Sequence, residues 1–138
     1  MHSLKSWFVL CLVSGFGCPV EAIAGPPRRL TSDGFIKLDP VFIRQGQFLV
    51  YGAQQKFNQI ILMRVRLRDL QAQRLHAGAN TSEFSASFAK NENQYAFIRN
   101  DGNLHVQLVI RNRKSGKDHR HNPGGGFAGV RSLSMSPN

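Results

Sequence analysis

The chain has 138 residues, 41% of them hydrophobic, with 18 Lys and Arg against 8 Asp and Glu, a net charge of +10. That length holds one small domain with a modest core. Both cysteines, Cys11 and Cys18, fall in the first 24 residues. Whatever follows therefore has no disulfide, no cysteine nucleophile and no thiolate metal site, and must hold itself by packing.

Residues 1–24 read as an export signal. Lys5 gives a thin positive start, Trp7 to Val13 an apolar centre, and Ala22-Ile23-Ala24 a small-x-small cleavage site. The apolar run is shorter than the roughly 20 residues that span a bilayer. An acylated Cys18 is the lipoprotein alternative, but the bulky Phe16 and the lack of an aliphatic residue at Gly15 speak against it. The expected location is periplasmic or extracellular. Cleavage removes one base, Lys5, and one acid, Glu21, so the charge stays at +10.

Residues 25–31, with Pro26-Pro27, form an extended proline-rich leader. Residues 32–121 read as a single β domain. Phe35-Ile36-Lys37-Leu38, Val41-Phe42-Ile43 and Phe48-Leu49-Val50-Tyr51 are candidate strands, with Asp39-Pro40 and Gly46 as breaks. Ile61, Met63, Val65 and Leu67 alternate with Arg64, Arg66 and Arg68, which is the period of a strand and places the arginines on its solvated face. Residues 69–76 have the propensity for one short helix, and equally suit the end of a long strand and a loop. Asn80-Thr81-Ser82 is a glycosylation sequon if the source is eukaryotic. Phe84, Ala86 and Phe88 alternate with serines in a further strand.

Tyr95 to Arg99, then Asp101-Gly102, then Leu104, Val106, Leu108 and Ile110 read as a hairpin closed by a type I′ turn. In that register the four apolar residues are buried, Val109 is an exception, and His105, Gln107 and Arg111 face out. Residues 122–138 form a Gly/Ser-rich flexible tail. About six short strands, with possibly one short helix, give an all-β fold: a small antiparallel β-sandwich or barrel.

Twelve of the cations are arginines, suited to bidentate contact with acidic groups. The candidate anion-binding residues are Arg64, Arg66 and Arg68 on one strand and Arg111, Arg113, Lys114, Lys117 and Arg120 after the hairpin. His119 and His121 share a strand face and form a weak candidate metal pair, and no cofactor is expected. The expected partner is an acidic macromolecule: anionic polysaccharide, lipid headgroups or an acidic protein. Nucleic acid ranks lower, because single-strand binders need exposed aromatics and Phe35, Phe42, Phe48, Phe84, Phe88 and Phe97 all lie in apolar strand patterns.

No nucleophile elbow, zinc-protease motif or phosphate loop occurs in the sequence. The reading is an exported non-catalytic binding or structural module with a basic surface that contacts an acidic envelope or extracellular partner. The alternatives are a small secreted nuclease or phosphodiesterase, pairing Glu83 or Glu92 with His119 or using His121, and a subunit of an extracellular assembly joined through its terminal segments.

Overall fold

Residues 48–53 and 95–98 are apolar at consecutive rather than alternate positions, the pattern of strands covered on both faces. A computed structural model describes residues 25–102, 105–123, 130 and 132–136. The export signal expected at 1–24 and the hairpin residue Leu104 lie outside the described residues. Eight strands occur: β1 (Lys37–Ile43), β2 (Phe48–Lys56), β3 (Gln59–Arg66), β4 (Ala72–Arg74), β5 (Ser82–Phe88), β6 (Gln94–Asn100), β7 (Val106–Asn112) and β8 (Asp118–His121). They form two antiparallel four-stranded sheets, β1-β2-β3-β4 and β5-β6-β7-β8, each in sequence order. The fold is all-β, with eight strands rather than six and no helix among the described residues.

The sheets meet through Ile43, Val50 and Leu62 on one side and Tyr95, Phe97 and Val109 on the other. A second apolar layer, Leu49, Tyr51, Ala53, Ile61 and Val65, lies on the outer face of the first sheet, with Leu30 of the leader packed on it. The second sheet is covered outside as well. Ile98 and Ala96 are buried there, and Met135 donates its backbone N–H to Ser87, whose strand partner is Ala96.

Two registers differ from the sequence reading because both outer faces are covered. Arg64 pairs opposite Val50 and Arg66 opposite Phe48, so both point to the inter-sheet side. Ile61, Met63 and Val65 are sheltered by the leader instead. In the hairpin, Phe97 pairs with Val109 and Tyr95 with Arg111. Val109 is fully buried, whereas Val106, Leu108 and Ile110 are half-buried on the outer face. Gln107 and Arg111 thus face inward. The hairpin connection is also longer than a two-residue turn: Asn100 pairs with Val106, and Asp101 N donates to His105 O at 3.0 Å. Gly102 does adopt positive φ, +98°.

Of the two readings of 69–76, the helix does not form: the stretch is a tight turn, the short β4 and the start of a loop. Asp69 accepts from Gln71 N through its side chain, Leu70 is left-handed at φ 56°, and Ala72 to Arg74 pair with Val65 to Met63. Phe35 and Phe42 are exposed rather than in the core. β1 is an edge strand, and Phe42 shares the outer face of Leu49 at its border. Phe57 is almost wholly exposed as well, whereas Phe48, Phe84 and Phe88 are half-buried and Phe97 is buried.

The interior position of Phe97 predicts that Phe97→Ala costs about 3–5 kcal/mol. Leu108→Ala, half-buried on the outer face, should cost clearly less than that. Urea unfolding midpoints of the two variants check the register directly, and the reverse order would contradict it.

Candidate anion-binding site

Inward-facing positions of the second sheet carry charge as well as rings. Glu83 on β5 stands directly opposite Arg99 on β6, Tyr95 on β6 opposite Arg111 on β7, and Arg111 opposite Asp118 on β8. His76 follows β4, where Leu75 N donates to Leu62 O at 2.8 Å and sets the chain against β3. Strand pairing brings Glu83, Arg99, Tyr95, Arg111 and Asp118 together, and the loop after β4 adds His76.

They form two hydrogen-bonded groups joined by an ion pair. The Tyr95 hydroxyl is 2.5 Å from His76 Nε2, and His76 Nδ1 is 2.5 Å from Glu83 Oε2. Arg99 donates to Glu83 Oε1 at 3.1 Å and lies 3.9 Å from Asp118. Arg111 grips Asp118 with two bonds, at 2.6 and 2.8 Å. Arg99 and Arg111 also lie over the Phe97 ring, at 5.5 and 5.4 Å, within the range of cation–π attraction. Glu83 is 2% exposed, so its charge persists only because it has partners, and the buried Tyr95 hydroxyl likewise needs its hydrogen bond.

The electrostatics follow from that pairing. Burial pushes the Glu83 carboxyl up, but the hydrogen bonds and charges of His76 and Arg99 outweigh it and hold the group below its ordinary value. The Arg111 fork holds Asp118 low, and Asp118 in turn raises Arg111. Burial raises the Tyr95 phenol, which stays protonated.

Above this network the space between the sheets opens into a cavity of about 240 Å³. Arg64, Arg111, Arg113, His76 and Tyr95 line it together with Ile43, Leu75 and Phe88. Arg113 also borders a wider cleft of about 670 Å³, where three turns converge and bring Arg44, Lys90 and Lys114 together. Glu92 accepts from Arg113 at 3.2 Å and from the Arg44 backbone N–H. The turn carrying Arg44 is tightly wound, with Arg44, Gln45 and Gly46 all at positive φ.

Arg64 stands apart. Arg66 pairs with Asp69, Arg99 with Glu83, Arg111 with Asp118 and Arg113 with Glu92. Of the half-buried arginines, Arg64 and Arg74 have no carboxylate partner among the described residues; Arg74 donates to the Ala79 carbonyl at 3.1 Å, whereas Arg64 makes no side-chain hydrogen bond there and its enclosed Nε has no acceptor. Its guanidinium lies 5.2 Å from the Phe48 ring. Burial, then the charges of Arg113, Arg44 and Arg66, lower its pKa.

The two basic stretches of the sequence therefore meet, though not as drawn. Arg64, Arg111 and Arg113 share the cavity, and Lys114 joins Arg113 in the cleft. Arg111 is a network member rather than a surface cation. Arg66 is tied to Asp69, Arg68 is exposed in the loop beyond β3, and Lys117 is exposed in the β7–β8 turn. Arg120 is exposed opposite Val109 on the edge strand.

His119 and His121 do share a face, the outer one, opposite Ile110 and Leu108. No group of three His, Cys, Asp or Glu residues placed to hold a metal occurs among the described residues. The pairing of Glu83 or Glu92 with His119 does not form: Glu83 bonds His76 inside the sandwich and Glu92 bonds Arg113.

His76, Tyr95 and Arg99 were missed as site residues. Tyr95 and Arg99 carry one signal, since they lie two positions on either side of Phe97 and share its face; His76 carries none. The chain matches no protein-family model, and comparison with curated proteins finds no relative for it.

Removing one partner from a buried charge pair leaves the other uncompensated. Glu83→Gln should therefore cost about 3–5 kcal/mol in urea unfolding. Glu83 and Asp118 have lowered folded-state pKa values, so their contribution is complete above the ordinary carboxylate range near ~4 and is lost as pH falls through the lowered values. Stability should drop steeply below about pH 4 in the wild type, and Glu83→Gln should flatten part of that drop. A wild-type acid limb matching that of Glu83→Gln would contradict the assignment.

Proposed function

We propose that the protein is an exported, non-catalytic binding module that contacts an acidic envelope or extracellular partner through the cationic end of its sandwich. The observation that carries this reading is Arg64, a half-buried cation surrounded by Arg44, Arg66 and Arg113 without a carboxylate partner of its own among the described residues. Gathering like charges costs stability unless an anion compensates. The neighbouring Lys90, Arg113 and Lys114 widen the positive surface around the mouth of the cavity, and the net charge of +10 favours encounter with acidic molecules. The ionised groups of the interior already satisfy one another, which supports binding rather than turnover as the role of this end.

Heparin, as a soluble anionic polysaccharide, tests the reading. Binding should be saturable and collapse between about 0.1 M and about 1 M salt, over which the screening length shrinks from ~10 Å to ~3 Å. Arg64→Gln should weaken it by roughly tenfold or more, the worth of a charge-assisted hydrogen bond. Lys90→Gln combined with Lys114→Gln should weaken it less. Binding that is indifferent both to salt and to Arg64 would refute the proposal.

A further inference from the structure

The cavity behind Arg64 is far smaller than a polymer chain requires, and its chemistry is specific. At about 240 Å³ it has the volume of roughly eight waters at ~30 Å³ each, ample for a five-atom oxyanion. Ile43, Leu75 and Phe88 form apolar walls that offer nothing to sugar hydroxyls. The polar residues come from separate elements: Arg64 from β3, Arg111 from β7, Arg113 from beyond it, and Tyr95 from β6. Cations converging from two sheets suit a tetrahedral anion better than a planar carboxylate, which a single arginine fork would satisfy.

Tyr95 supplies the third contact under one condition. Glu83 fixes the proton of His76 on Nδ1. A neutral His76 then accepts the Tyr95 O–H at Nε2, and the phenol has no proton left for the cavity. A charged His76 donates from Nε2 to the Tyr95 oxygen instead, and the hydroxyl proton turns toward the cavity. The charged groups bearing on His76 are Glu83 from β5, Arg99 behind it on β6, Arg111 and Asp118 from β7 and β8, and Arg64 and Arg113 across the cavity. Glu83 favours the charged ring, and Arg64, Arg111 and Arg113 oppose it. An anion among those arginines removes the opposition.

We propose that this cavity binds one tetrahedral oxyanion, a phosphate or sulfate group, between Arg64 and Arg113 with the Tyr95 hydroxyl as third donor, and that His76 takes up a proton as it binds. The inference rests on the acidic-partner reading above and names the chemical group of that partner.

Inorganic sulfate is the probe, since it stays fully ionised over about pH 5 to 8, where imidazole changes charge. Calorimetric titration of the full chain should show one saturable site that tightens as pH falls. Repeating it at neutral pH in two buffers of different ionisation enthalpy should reveal uptake of up to one proton. Arg64→Gln should weaken sulfate binding by roughly tenfold or more, and Arg64→Lys, which keeps the charge but not the fork, should fall between. Tyr95→Phe should retain weaker binding and lose most of the pH dependence. A sulfated disaccharide binding more tightly than sulfate marks an ester group of a larger molecule as the occupant, and equal affinity marks the free anion; the site stands in both cases. Wild type that binds heparin but no sulfate overturns the cavity and leaves the cleft reading intact. Sulfate binding unchanged in Arg64→Gln and Arg64→Lys overturns it as well. Sulfate binding without heparin binding keeps the cavity and refutes the polysaccharide reading.

Discussion

A carboxylate removed from water is the constraint around which this sandwich is arranged. Glu83 is almost completely enclosed, and an unpaired charge there would cost several kcal/mol. Its two oxygens are instead divided between His76 and Arg99. Arg99 also lies near Asp118, and Asp118 is locked to Arg111. Four strands and one loop contribute to this array, so the loop after β4 is bound to the second sheet by charge as well as by packing. Glu83 and the Tyr95 hydroxyl fix the two nitrogens of the His76 ring, which stacks on Tyr95 at 5.8 Å and lies tilted against Phe97 at 4.6 Å.

The same array explains an asymmetry in how the chain uses its arginines. Near the sheet centre Arg99 and Arg111 are each matched to a carboxylate and laid on the Phe97 ring, which lets a basic chain keep cations inside without net repulsion. Towards the end formed by the turns after β1, β5 and β7 the matching runs out. Among the described residues Glu92 is the one carboxylate bordering the wide cleft, against Arg44, Lys90, Arg113 and Lys114. Positive potential is thus concentrated at one place by the distribution of acids rather than of bases.

Much of the architecture could be read from the chain. The period of two in 61–67, the hairpin around Gly102 and the turn at Gly46 all correspond to observed strands and bends. Alternation could not say which face of a strand meets the other sheet. Ile61, Met63 and Val65 form a regular apolar row, yet they pack under Leu30. The inter-sheet side of that strand carries Leu62 and then Arg64. The site was legible only in part for the same reason. Arg64, Arg113 and Lys114 stood out by charge, whereas Glu83, His76 and Tyr95 lie in separate segments and acquire meaning only through cross-strand pairing.

Apolar cover on both faces has a consequence for how the strands find their alignment. In a sheet with one wet face, sliding a strand by one residue turns its apolar set into water and is strongly penalised. In β2 or β6 such a slide would exchange one apolar set for another, so burial alone discriminates weakly. Alignment must then be enforced by groups that tolerate a single position. The bulge at Asp39 in β1 and the bulge at Ser85 in β5 are such groups. Both residues are left-handed, at φ 47° and 52°, and the Ser85 hydroxyl donates to Asp39 Oδ2 at 2.5 Å across the sheets. The two irregularities act as matched notches: neither strand can advance by one residue without parting the pair, and each sheet thereby sets the reading frame of the other.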